Sequence, residues 1–128
     1  MMRRIRITAG GISVTAELND SPTADAIWNA LPLEARGSTW GDEIYFSIPV
    51  HLPQARDAKE VVELGALGYW PPGNAFCIFY GPTPASLGNE IRPASPVNVF
   101  GRVVDDPTVF RKLRGSVNVR VERLEERS

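Results

Sequence analysis

The sequence predicts a mainly β protein: a closed, mostly antiparallel barrel of about eight short strands, capped by two short helices. Three observations carry this reading. Apolar residues alternate with polar ones at a strict period of two in several short segments. Glycine, proline and Asp/Asn turn signals separate those segments at close intervals, as in barrels and sandwiches. Helix-start chemistry occurs at Ser21-Pro22 and Asp106-Pro107, where a side-chain oxygen can cap and proline fits the first helical position.

Taken in order, Ile5 and Ile7, then Ile12, Val14, Ala16 and Leu18, alternate on either side of Ala9-Gly10-Gly11, a hairpin pattern. Ala24, Ile27, Trp28 and Leu31 follow at helical spacing and Pro32 closes that helix, which is expected over residues 22–31. A strand from Leu33 to Trp40 turns at Gly41-Asp42 and returns with Ile44, Phe46 and Ile48 on one face, so Glu43, Tyr45 and Ser47 share the other. Pro49 to Lys59 reads as a loop with a helical turn at most. Val61, Val62 and Leu64 have strand composition, whereas Gly65 to Gly73, with its glycines, prolines and Tyr69-Trp70, reads as a tight, shaped loop.

Ala75 to Tyr80 is apolar throughout, as in a strand covered on both faces. Gly81 to Pro96 carries four prolines and little periodicity, which predicts a long excursion over the surface. Val97, Val99, Val103 and Val104 flank Gly101, a strand with a bend or bulge at the glycine, and this places Asn98 on its outer face or in a groove. A second helix over 107–114 turns Val109, Phe110 and Leu113 inward before Gly115, and Val117, Val119 and Val121 form the last strand. The expected core contains Ile12, Val14, Ile27, Ile44, Phe46, Ile78, Val99, Phe110 and Val119.

The 128 residues match one domain, 1–128, with no internal repeat or linker. An apolar share of 43% and a charged share of 23% are globular values and argue against disorder. Fourteen basic against fifteen acidic residues leave a net charge of −1, so no field draws in nucleic acid or an anionic membrane. The basic start Met1-Met2-Arg3-Arg4 lacks the apolar block of a signal peptide, and no apolar run could span a bilayer. A single cysteine excludes an internal disulfide, so a cytoplasmic location is expected.

The words Thr39-Trp40-Gly41-Asp42-Glu43-Ile44-Tyr45-Phe46-Ser47, Gly68-Tyr69-Trp70-Pro71-Pro72-Gly73 and Pro93-Ala94-Ser95-Pro96-Val97-Asn98-Val99 resemble those of a family of small prokaryotic cyclophilin-like proteins. The resemblance covers nearly the whole chain and implies the cyclophilin-type barrel, but no activity. True cyclophilins carry a catalytic arginine in a Phe-His-Arg pattern on the strand after the first helix. Here that strand reads Leu33-Glu34-Ala35-Arg36-Gly37-Ser38-Thr39-Trp40, and the neighbours of Arg36 do not fit. Prolyl isomerase activity is therefore expected to be absent or very weak.

The chemistry-bearing residues concentrate in the same words. Trp40, Glu43 and Tyr45 put an indole, a carboxylate and a phenol near one hairpin, while Tyr69 and Trp70 offer an aromatic wall. Arg92 and Ser95 could hold an anion, and Asn98 could supply a polar rim. Each group also has a plain structural reading, as strand cover, turn packing or solvated surface. His51 has no second ligand at metal spacing, and Cys77 lies in the most apolar strand, so neither a metal nor a Cys-His nucleophile is expected. No phosphate-binding glycine loop or nucleophile elbow occurs, and no cofactor is expected.

Three functions fit this pattern. The favoured one is a barrel that binds a small molecule or an extended peptide in an aromatic-walled groove, with Trp70→Ala weakening binding at little cost to Tm. The second is an atypical isomerase or lyase, weak peptidyl-prolyl isomerase included, using Glu43 with a tyrosine. The third is a structural role in which a homo-oligomer buries the aromatic patch.

Overall fold

A computed structural model describes residues 2–127. Its strands are β1 (Met2–Ala9), β2 (Ile12–Leu18), β3 (Leu33–Thr39), β4 (Glu43–Ser47), β5 (Ala66–Trp70), β6 (Ala75–Phe79), β7 (Asn98–Val103) and β8 (Ser116–Arg127). They close into a barrel in the order β1-β2-β7-β5-β6-β4-β3-β8, and β8 pairs back to β1. Closure leaves no long unpaired edge. Each neighbouring pair is antiparallel, so the strand connections can be short except where the chain crosses an end.

Helix α1 (Pro22–Ala30) starts where Ser21 accepts a hydrogen bond from the Ala24 N–H, and it buries Thr23, Ala24 and Ile27 against the barrel. The second expected helix forms as a 3₁₀ helix over Pro107–Lys112, capped by the Asp106 side chain on the Thr108 N–H. Phe110 is fully buried in it, against Tyr80 with ring centroids 5.8 Å apart.

Two expectations need correction. Val61 to Leu64 forms no strand: Val62 makes an isolated bridge to Ile91, while Val61 and Leu64 are exposed. The strand is instead the next segment, Ala66–Trp70, which pairs with both β6 and β7. Its Ala-Leu-Gly-Tyr-Trp run is broken by Gly68, which lies under a covering loop. A Cβ at Gly68 would sit 2.7 Å from Val97 Cγ2, so a side chain there would displace the loop.

The second correction concerns β7. Its register against β5 runs Leu67↔Gly101 and then Gly68↔Val99, so Phe100 is the extra residue of a bulge. The bulge reverses the in-and-out alternation. Phe100 and Val103 face the barrel core, Val97 and Val99 join the outer apolar cluster, and Asn98 is buried rather than on the outer face. Of the expected core, Val99 and Ile12 are partly buried and the remaining seven are buried.

The apolar residues form two clusters. One fills the barrel, with Phe76 stacked on Phe46 and edge-on to Phe100, each at 4.9 Å between ring centroids. The other lies on the outer face of β5 and β6, where Ala66, Ala75, Cys77 and Phe79 are covered by Val62, Ile91 and Val97. The proline-rich excursion thus packs as a second layer over β6 and accounts for that strand's unbroken apolar run. Backbone bonds between Lys59 and Val97, at 2.8 and 3.0 Å, fasten it down.

Candidate functional site

The outer face of β4 carries Glu43 and Tyr45, which lie opposite Phe79 and Cys77 of β6. On the far side of β6, Cys77 pairs with Gly68 and Ala75 with Trp70. Tyr45 and Trp70 therefore stand on one face of a three-strand patch with Cys77 between them. Trp40 enters from the β3–β4 turn, where its N–H donates to the Glu43 carbonyl at 2.8 Å.

These side chains enclose a cavity of about 150 Å³, open to solvent on one side. Glu43 and Cys77 lie deep within it, Trp40, Tyr45 and Trp70 wall it, and Pro93, Ala94 and Val97 of the covering loop close the remaining side. Trp70 is held in place by two neighbours. Its indole N–H donates to Ser95 Oγ at 2.6 Å, and a Cβ at Gly73 would come within 2.9 Å of the ring, so the indole rests directly on the Pro71–Gly73 3₁₀ turn.

Glu43 is 5% exposed, and its Oε1 has no hydrogen-bond partner. Burial pushes its carboxyl up to about 7, and the neighbouring Cys77 thiol pulls more weakly the other way. The Cys77 thiol is pushed well above its usual range by burial first and by the Glu43 charge second, so it is a poor nucleophile. Among the described residues Tyr80 carries the other buried oxygen without a partner, but that ring belongs to the barrel core.

Of the sequence-derived candidates, Trp40, Glu43, Tyr45 and Trp70 come together at this cavity, and Tyr69, Arg92 and Asn98 do not line it. Tyr69, next to Trp70 on a strand, points the opposite way: it is fully buried, donates to the Val50 carbonyl at 2.6 Å and accepts from the Leu52 N–H at 3.2 Å. Asn98, its cross-strand neighbour, accepts from the Ala55 N–H at 2.7 Å and donates to the Pro53 carbonyl at 3.1 Å, pinning the 49–59 loop. Arg92 donates to Glu90 at 3.3 Å on the covering loop.

Sequence reasoning passed over Pro93, Ala94 and Val97 as cavity residues, although the Pro93-to-Val99 word was a signal. It marks the place where the loop returns across β5. Arg36 is exposed on β3, 3.4 Å from Asn118 Oδ1, and is not part of the cavity. His51 is exposed, and the described residues hold no cluster of three or more metal-ligating side chains. Among those residues no helix is long and apolar enough to cross a membrane.

Comparison with known proteins adds the lineage. No curated protein matches the chain. The solution structure of the hypothetical protein AF2241 from Archaeoglobus fulgidus is similar, with 40% sequence identity and a TM-score of 0.81 over 96% of this chain and 95% of that one. The family model described as cyclophilin-like matches residues 3–122, nearly the whole barrel, and the chain therefore belongs to the cyclophilin-like family.

Proposed function

We propose that this cyclophilin-like barrel binds a small organic ligand, or one side chain of an extended peptide, in the cavity between β4, β5 and the covering loop. The observation that carries the reading is Glu43: a carboxyl buried on the floor of an aromatic-walled opening, with one oxygen unpaired. A buried polar atom without a partner costs about 1–3 kcal/mol, and a ligand that supplies the missing hydrogen bond recovers it. Apolar walls with one polar anchor are what a small-molecule site needs. The lone cysteine, buried at this site, suits a reducing compartment, and a cytoplasmic setting belongs to the same proposal.

The test is a screen of small organic fragments read by tryptophan fluorescence, since two of the walls are indoles. Tyr45 is 38% exposed, so Tyr45→Ala should weaken binding of a hit about tenfold and leave Tm within a few degrees of the parent. Trp70→Ala should weaken it as much but also cost about 1–3 kcal/mol of stability, because the indole anchors Ser95 and packs on the outer cluster. Tyr45 is therefore the cleaner probe of the two. Hits that bind Tyr45→Ala as tightly as the parent would place the ligand elsewhere.

A second reading, acid–base chemistry on the bound ligand, has one observation in its favour. A carboxyl pushed up to about 7 exchanges protons near neutral pH, as a general acid or base must. Tyr45, two residues along the same strand face, would be its phenolic neighbour.

A further inference from the structure

Among the described residues the cavity has one formal charge in its lining, the Glu43 carboxyl, and no lysine, arginine or histidine lines it. The arginines of the flanking segments are engaged elsewhere, Arg92 with Glu90 at 3.3 Å and Arg111 with Asp42 at 3.3 Å. The protein thus surrounds a buried carboxyl with Trp40, Tyr45 and Trp70 and supplies no counter-ion. Each class of ligand meets this differently. An anion would be repelled by Glu43 and find no donor of opposite charge. A neutral apolar molecule would leave Oε1 buried and unpaired. An organic cation would pair with the carboxylate and gain further from the aromatic rings, which attract positive charge.

We propose that the group this cavity receives is an organic ammonium or guanidinium, held by Glu43 and walled by Trp40, Tyr45 and Trp70. The inference rests on the cavity being the ligand site and adds the charge of what enters it. Cation binding draws on the ionised form of Glu43, so affinity must follow its ionisation. With the free carboxyl near 7, affinity should rise about tenfold from pH 6 to pH 8 and level off above that.

Among the described residues the titratable and charged groups around Glu43 are Asp42 beside it in the chain, Tyr45 on its own strand, Cys77 and Tyr80 on the facing β6 segment, and beyond Tyr80 the Arg114 guanidinium, which donates to the Arg111 and Leu113 carbonyls. Asp42 is paired with Arg111. Cys77 is held well above its usual range and Tyr80 is pushed up to about 12, both first by burial, so neither changes charge between pH 6 and pH 8. The expected pH profile is therefore that of Glu43.

Titrations with n-butylammonium, butylguanidinium, 1-butanol and butyrate, followed by amide and indole NMR shifts, test the proposal. The two cations should shift Glu43, Tyr45 and the Trp70 indole saturably, about tenfold more tightly at pH 8 than at pH 6. They should bind at least about tenfold more tightly than butanol or butyrate. In Glu43→Gln the preference and the pH dependence should both vanish. If that variant fails to fold, the pH profile of the parent protein carries the test. A capped tripeptide with a central lysine separates the sources: tighter binding than n-butylammonium assigns the cation to a protein partner, weaker binding to a free small molecule, and both keep the cation. Butanol binding as tightly as the cations overturns the charge class and leaves the ligand site standing. If no probe moves the cavity residues at all, both readings fall.

Discussion

Glu43→Gln should make the protein more stable at pH 8, by up to about 3 kcal/mol, and change its stability little at pH 5. The sign follows from the burial. Glu43 has an ordinary value of 4.5 when the chain is unfolded and about 7 when folded. Between those values the folded protein keeps a proton that the unfolded chain has released, so stability falls as pH rises. The penalty is absent below 4.5 and complete above 7, and about 2.5 pH units correspond to about 3 kcal/mol. Glutamine has nearly the shape of the protonated acid and cannot ionise, so the variant escapes the penalty. Thermal melts of both proteins from pH 4.5 to pH 8.5 check this, and the gap at pH 8 should be on the order of 10 °C. Equal melting temperatures across the range would mean that Glu43 is solvated in the folded state, and the ligand argument would lose its support.

Phe76→Ala should cost about 3–5 kcal/mol, a large share of what a domain of this size has to spare. Phe76 sits on β6 inside the barrel, stacked on Phe46 and edge-on to Phe100, with no exposed surface. Removing the ring leaves a void bounded by β4, β6 and β7 that those paired strands cannot collapse to fill. Urea denaturation should show a lower midpoint with an unchanged slope. A loss below about 1 kcal/mol would show that the interior repacks freely, contrary to the tight ring contacts. The cavity outside depends on the same strand through Cys77, so Phe76→Ala should weaken ligand binding only to the extent that it unfolds the protein.

Local chemistry determined much of this protein. Period-two alternation fixed which faces of β1, β2, β4 and β8 point inward, because one face of each packs on the barrel core while the other carries polar residues away from it. Ser21-Pro22 and Asp106-Pro107 set both helix starts, since a cap needs only the residues beside it. The placement of Glu43 and Tyr45 on one outer face also followed from alternation alone.

What the sequence could not supply is whatever depends on a distant segment. Ala66–Trp70 reads as a turn because of Gly68, and that glycine answers to Val97, a residue far along the chain. Asn98 and Val99 exchange faces because of the Phe100 bulge, whose register is set against β5. Tyr69 and Trp70 looked like one aromatic wall, yet adjacent residues on a strand face opposite ways, and only the pairing with β6 and β7 made that segment a strand. The cavity belongs to the tertiary structure as well. Trp40 and Tyr45 are close to Glu43 in the chain, but Trp70 and the covering residues Pro93, Ala94 and Val97 come from distant segments, and only the folded chain closes all of them around the carboxyl, whose burial raises its affinity for a proton.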